Sequence, residues 1–253
     1  MSLENYRKKR NFNKTPEPSG HPRRNSRGDR IFVIQKHDAT RLHYDFRLEI
    51  GGVLASWAVP KGPSLDPSVR RLAIRTEDHP IEYADFEGVI PEGEYGPGPV
   101  MVWDKGTYSP ENDLSPEEQL ARGEIKIVLN GIKLRGGFVL LYPRRSFGEP
   151  GEKARWLLIK RRDEYADPSW KIDDPPLDRS VLTGRTLKEI EENRPAKRRA
   201  IAKSGAFVSF SAISPPPRMQ NRNTVRPTLL NCLRWNMVIS SWVQLRMKAR
   251  ARL

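Results

Sequence analysis

The chain has 253 residues and a formal net charge of +14, from 45 Lys and Arg against 31 Asp and Glu. That length allows one sizeable domain with tails, and a charge of that size points to a polyanionic partner such as nucleic acid. No run of about 18 apolar residues occurs, which excludes a transmembrane helix, and the single cysteine, Cys232, excludes an internal disulfide framework or a cysteine-built zinc site.

The charge is unevenly placed. Residues 1–30 carry a net +6, residues 31–192 a net −5, and residues 193–253 hold 13 basic and no acidic residues. Blocks of like charge repel, stay solvated and often act as interaction arms. The expected organisation is a basic N-terminal arm over 1–30, a folded domain over 31–185 and a basic, disordered C-terminal tail over 186–253. Met1–Arg10 is basic with no apolar stretch behind it, so no secretory signal is expected, and the localisation implied is cytoplasmic, close to the nucleoid.

In chain order, Thr15–Gly20 and the Pro/Arg run after His21 read as turn and linker, with little to bury and a solvated His21. From Ile31 the chain changes to short runs rich in β-branched and aromatic residues. Strands are predicted at Ile31–His37, Leu42–Ile50, Val53–Val59, Leu72–Thr76, Pro99–Trp103, Glu124–Leu129, Gly137–Tyr142 and Arg155–Lys160. Gly51-Gly52 marks a tight hairpin. Ser115-Pro-Glu-Glu-Gln-Leu-Ala has the capping Ser and following Pro of a short helix, and Thr186–Glu192 reads as another. Gly/Pro clusters at Pro60–Pro63, Gly88–Pro99 and Gly131–Gly137 punctuate the rest. Gly93-Glu-Tyr-Gly-Pro-Gly98 superficially looks like a phosphate loop, but no helix or P-loop Lys follows, so it reads as a hairpin turn. No strand–helix–strand alternation repeats. The fold class expected is mainly β, a compact antiparallel β-barrel with a few short helices.

The chemistry concentrates in Gln35-Lys-His-Asp-Ala-Thr-Arg-Leu-His-Tyr-Asp-Phe-Arg-Leu-Glu49. On a strand, His43, Asp45 and Arg47 share one face, while Tyr44, Phe46 and Leu48 form a core stripe on the other. Gln35 and His37 share a face in the preceding strand, and the intervening turn lets the two imidazoles converge. Two imidazoles and a carboxylate suit Mn²⁺, Fe²⁺ or Zn²⁺ and leave positions open for water and substrate. Arg41, Arg47, Lys61, Arg70 and Arg71 favour phosphoryl chemistry over oxidation at such a metal. His79, in Glu77-Asp-His-Pro-Ile-Glu-Tyr83, is open to three roles: fourth ligand, acid or base, or hydrogen bond to phosphate. Tyr83 alone reads as core packing.

These residues carry a resemblance. Phe32 to Glu49, Ser56-Trp-Ala-Val-Pro-Lys-Gly-Pro-Ser64, Glu77–Tyr83 and Phe86-Glu-Gly-Val-Ile-Pro-Glu-Gly-Glu-Tyr-Gly96 resemble the 3′-phosphoesterase domain of bacterial DNA ligase D, over about Tyr6 to Arg185. The resemblance implies a β-barrel enzyme, dependent on Mn²⁺ or another divalent metal, that acts on DNA or RNA 3′ ends in end-joining repair. It implies removal of a 3′-terminal ribonucleoside and hydrolysis of the remaining 3′-phosphate. By position, His37, His43 and Asp45 match metal ligands, and Arg47, His79 and Tyr83 match phosphate-contacting or catalytic residues. Gln35, Lys61 and Arg71 match supporting polar groups, while Arg10 and Glu17 match residues of the nuclease step. Asn11 departs, standing where the family carries an acid, and this bears on ribonucleoside removal more than on phosphate hydrolysis.

No Lys-x-Asp-Gly ligase motif occurs, so the chain is expected to be a free-standing phosphoesterase that does not seal nicks. Ku and a separate ligase or polymerase are the partners implied, with no membrane role. Two rival readings remain at this point. The His/Asp set, with His43-x-Asp45 and a distal His79, also fits a non-haem iron oxidoreductase on a β-barrel. Alternatively, the chain is a non-catalytic module that binds nucleic-acid ends and recruits ligase or Ku through its basic tails.

Overall fold

A computed structural model describes residues 2–20, 30–143 and 153–197; His21 and the basic stretch from 198 onward lie outside the described residues. The described residues form nine strands: β1 (Arg30–Asp38), β2 (Leu42–Ile50), β3 (Val53–Val59), β4 (Arg70–Arg75), β5 (Gly88–Ile90), β6 (Gly98–Pro110), β7 (Glu124–Gly131), β8 (Arg135–Leu141) and β9 (Arg155–Lys160). Every pairing is antiparallel. The order runs β1-β2-β3-β4-β9-β8-β7-β6, and β6 pairs back onto β1, closing an eight-strand barrel with β5 appended to the start of β6. The mainly β, barrel expectation is thus met. β5 is the addition, lying inside the Gly/Pro cluster that reads as loop; it is too short to leave an alternating pattern.

Local chemistry explains the joints. Gly51 and Gly52 have φ of 59° and 78°, the left-handed pair that a two-residue hairpin between Ile50 and Val53 requires. Helix α2 (Pro116–Arg122) starts at Ser115, whose hydroxyl accepts the Glu118 N–H while the Glu118 carboxylate accepts the Ser115 N–H. Helix α3 (Leu187–Glu191) repeats this capping box with Thr186 and Glu189.

Alternation divides the burial into two cores. The lumen is filled from one face of the strands by Phe32, Ile34, Phe46, Leu48, Trp57, Trp103, Ile127, Phe138, Trp156 and Leu158. Ile190 of α3 joins this core at 2% exposure, so the segment after 185 is packed where a tail was expected to begin. The second core lies on the outer side of the β1–β2–β3–β6 wall. There Val33, Leu54, Val100 and Val102 are covered by Tyr6, Tyr83, Ala84 and Phe86.

The N-terminal residues correct the sequence reading. Helix α1 (Glu4–Lys8) places Tyr6 in the outer core with 0% exposure, and the Tyr6 hydroxyl donates to the Pro18 carbonyl at 2.6 Å. Residues 3–20 are therefore laid against the barrel wall rather than held away as a flexible arm. Composition gave no hint, because one aromatic anchor and a few charge pairs hold the segment, not an apolar stripe.

Candidate metal and phosphate site

The site is built on the outer face of β1 and β2. Their register sets His37 opposite His43 and Gln35 opposite Asp45. The register of β2 with β3 sets Arg47 opposite Ser56. Ligand-capable atoms of His37, His43 and Asp45 all lie within 4.8 Å of one another. His37 Nδ1 is 3.8 Å from Asp45 Oδ2, and His43 Nε2 is 3.6 Å from Asp45 Oδ1.

The far nitrogen of each imidazole is fixed by the backbone. His37 Nε2 donates to the Gly96 carbonyl at 3.1 Å, and His43 Nδ1 donates to the Arg41 carbonyl at 2.8 Å. A carbonyl only accepts, so in the neutral rings these bonds put the proton on the far side and turn the lone pairs of His37 Nδ1 and His43 Nε2 toward Asp45. Such back-bonding is how proteins orient metal-binding histidines. The donor set and its orientation therefore fit a divalent cation such as Mn²⁺, Fe²⁺ or Zn²⁺.

Arg47 is clamped underneath. Its Nε donates to Gln35 Oε1 at 2.8 Å, Nη1 to Ser56 Oγ at 2.8 Å and Nη2 to Asp45 Oδ2 at 3.0 Å. Gln35 is held in turn by donating to the Tyr83 and Phe86 carbonyls. Burial pushes the Asp45 carboxyl up, but the Arg47 guanidinium and both histidines overcome this and hold it well below the usual carboxylate range. Asp45 is thereby kept as an anion ready for a cation. Burial pulls His43 down, yet its contact with Asp45 raises it overall.

His79 sits beside this set, not in it. Its backbone bridges to Leu54 of β3, and its ring lies between two arginines. Nδ1 is 2.8 Å from Arg47 Nη1 and 2.9 Å from the Glu77 carbonyl oxygen, and Nε2 is 3.2 Å from Arg10 Nη2. Burial, then Arg47, then Arg10 push its value well below the ordinary one, so the ring is neutral. A neutral ring has no acidic proton to deliver, and the positive charge that suits an anion here is that of the two guanidiniums beside it.

Arg10 carries the N-terminal segment into the site. It donates to Glu17 at 2.8 Å and to Glu77 at 3.2 Å, and its guanidinium lies 3.9 Å from the Tyr6 ring centre. The Tyr83 hydroxyl donates to the same Glu17 at 2.9 Å. Burial and the Glu17 carboxylate push Tyr83 well above its ordinary value, so it stays protonated. Arg10, Glu17, His79 and Tyr83, widely separated in the chain, thus form one buried network, and Gln35 and Arg47 join it to the His/Asp set.

Lys61 and Arg71 are not brought there. With Lys36, Tyr44 and Trp170 they line a groove of about 390 Å³. Lys36 and Tyr44 alternate with His37 and His43, which places this groove on the opposite side of the wall from the His/Asp set. Ser56 and Glu77 are the residues the sequence reading left without a role. For Ser56 a signal existed: the Gly51-Gly52 turn fixes its partner as Arg47.

Comparison with known proteins agrees with this geometry. Residues 35–142 match the family model described as the DNA Ligase D 3′-phosphoesterase domain. The chain is 49% identical over 189 residues to the multifunctional non-homologous end joining protein LigD of Pseudomonas aeruginosa, covering 73% of this chain and 22% of that protein. It is 43% identical over 172 residues to the multifunctional non-homologous end joining DNA repair protein LigD of Mycobacterium tuberculosis, covering 68% and 21%. For the LigD protein of Mycolicibacterium smegmatis the figures are 42% over 166 residues, covering 64% and 21%. The chain spans about a fifth of the length of these relatives. Motifs, closed barrel and match agree that residues 35–142 form a domain of the DNA ligase D 3′-phosphoesterase type.

Proposed function

We propose that the chain is a metal-dependent 3′-phosphoesterase that processes DNA or RNA 3′ ends in repair by end joining. The observation that supports it most is the pair of back-bonded imidazoles facing an ionised Asp45, with a neutral His79 held between two guanidiniums alongside. A divalent metal on His37, His43 and Asp45, with Mn²⁺ the cofactor we infer, supplies Lewis-acid charge at a phosphoryl oxygen. Arg47 orients Asp45 and His79, and its positive charge offsets charge gathering on the transferring phosphoryl group. His79 holds a phosphate oxygen. Arg10 and Glu17 act with Tyr83 as one hydrogen-bonded group at the docked N-terminal segment, which we assign to ribonucleoside removal more than to phosphate hydrolysis.

Ku, ligase and polymerase partners are inferred from the end-joining proteins that the chain resembles. The two arginines around His79 favour phosphate chemistry over the iron-oxidase reading, and His79 is not placed as a ligand in that arrangement.

One incubation tests the reading. Labelled primer-templates ending in a 3′-phosphate or a 3′-ribonucleotide are mixed with the protein and Mn²⁺, Mg²⁺, Zn²⁺ or no metal. Conversion of the 3′-phosphate to a 3′-hydroxyl with Mn²⁺, and none in chelator, is expected. Absence of hydrolysis with every metal refutes the reading. Because Asn11 lacks the acidic side chain, phosphate hydrolysis is expected to outpace ribonucleoside removal, and Asn11→Asp to narrow that gap.

A further inference from the structure

Tyr95 is unused by the chemistry described so far. It is 50% exposed, among the most open large side chains of the described residues. It stands in the turn between β5 and β6, next to Gly96, whose carbonyl fixes His37. Its ring centre is 5.7 Å from the Arg10 guanidinium carbon, and Arg10 in turn touches His79. The Lys9 ammonium lies 4.8 Å from the same ring centre. The adjacent Glu94 carboxylate accepts the Asn11 N–H at 3.4 Å, so the turn and the N-terminal segment meet at this point.

An aromatic ring held half in water costs hydrophobic free energy that burial would recover. Here it borders the phosphate-holding residues on one side and solvent on the other, with cations close by. We propose that Tyr95 is the platform on which the base of the 3′-terminal nucleotide stacks, beside the ion-paired Lys9 and Arg10. The inference rests on the 3′-end reading, and it identifies the ligand as a nucleotide rather than any phosphate ester. Stacking on an aromatic ring tolerates every base, which suits an enzyme that must accept ends of any sequence. Tyr95 is a positioning residue: it touches the base, not the reacting phosphorus.

The test uses the full chain and a primer-template whose last nucleotide is 2-aminopurine bearing a 3′-phosphate. Without added metal, binding is expected to quench the fluorescence of that base. Tyr95→Ala is expected to remove the quenching and Tyr95→Trp to keep it. With Mn²⁺, Tyr95→Ala is expected to raise KM about tenfold with kcat nearly unchanged, as loss of one stacked base implies. On a primer ending in an abasic 3′-phosphate, Tyr95→Ala and the parent protein are expected to behave alike.

Equal quenching by the parent protein and Tyr95→Ala overturns the proposal, as does an equal loss on base-bearing and abasic ends. The latter would mean that Tyr95 only braces Lys9 and Arg10. Absence of quenching in the parent protein overturns it too. Failure of the 3′-end reading looks different: no hydrolysis of any substrate, whatever the fluorescence shows.

Discussion

At the level of single residues, Arg47 joins the His37/His43/Asp45 set, which we propose holds a cation, to the His79 set, which we propose faces the phosphate. On that proposal, replacing His43 or Asp45 by Ala removes a metal donor outright. The expected loss of 3′-phosphate hydrolysis exceeds the roughly 100-fold that outer-shell changes cost. Both variants should keep the parent circular dichroism spectrum, because these side chains lie on the outer wall and not in the lumen. Full activity in either variant refutes the ligand assignment. Arg47→Lys is the more telling change, since an ammonium cannot reach Gln35, Ser56 and Asp45 at once as the planar guanidinium does. We expect weaker metal affinity as well as slower turnover, measured by titrating activity with Mn²⁺; unchanged metal affinity would show that Arg47 does not orient Asp45. The residues of β1 and β2 were legible in the sequence because strand alternation alone puts His37, His43, Asp45 and Arg47 on one face. The neutrality of His79 was not, since it depends on burial first, then on Arg47 and on Arg10, 69 positions away.

Among elements, the N-terminal segment differs most from expectation. Its charge density reads as an arm, yet Tyr6 is buried and Glu77 receives both Lys9 at 3.1 Å and Arg10 at 3.2 Å. Burial pushes the Glu77 carboxyl up, but backbone hydrogen bonding, Arg10 and Lys9 hold it below its ordinary value of 4.5. A carboxylate lowered in this way stabilises the fold fully above pH 4.5, and that contribution is lost as pH falls through the lower folded value. Glu77→Gln should therefore cost about 2 kcal/mol at pH 7. The gap between its Tm and that of the parent protein should shrink as the pH falls progressively below 4.5. A gap that stays constant across that range would exclude the ion pairs as its source. The barrel strands and both capped helices were legible because periodicity, the Gly51-Gly52 turn and the capping boxes are local signals. The docking of residues 3–20 and the three-residue β5 were not, as both depend on contacts between segments distant in the chain.

For the molecule as a whole, charge and chemistry occupy different stretches. Residues 198–253 hold 11 basic and no acidic residues. If they add only counterion-releasing contacts, removing them should flatten the salt dependence of DNA binding between 50 and 200 mM, as general polyelectrolyte behaviour requires. Hydrolysis of a saturating 3′-phosphate substrate should persist. An unchanged slope in fluorescence anisotropy would mean that this stretch makes no phosphate contacts. On the lumen side of β7, away from the site face, Ile127→Val trims one methyl group and should cost about 1 kcal/mol. Chemical denaturation should reveal that cost, while kcat/KM stays at the parent value.

The two cores share only the wall between them, and the residues of the proposed site project from its outer side. Mutational tolerance should divide along the same line. Lumen positions on β7, β8 and β9 are free to drift among apolar side chains of matching volume, limited by heat resistance alone. Outer positions on β1, β2 and β3 are limited by chemistry, with stability a lesser concern. A library randomised in the lumen and selected for thermal survival should yield variants that still act on their ends at the original rate, making the barrel a scaffold whose robustness and reactivity can be engineered one at a time.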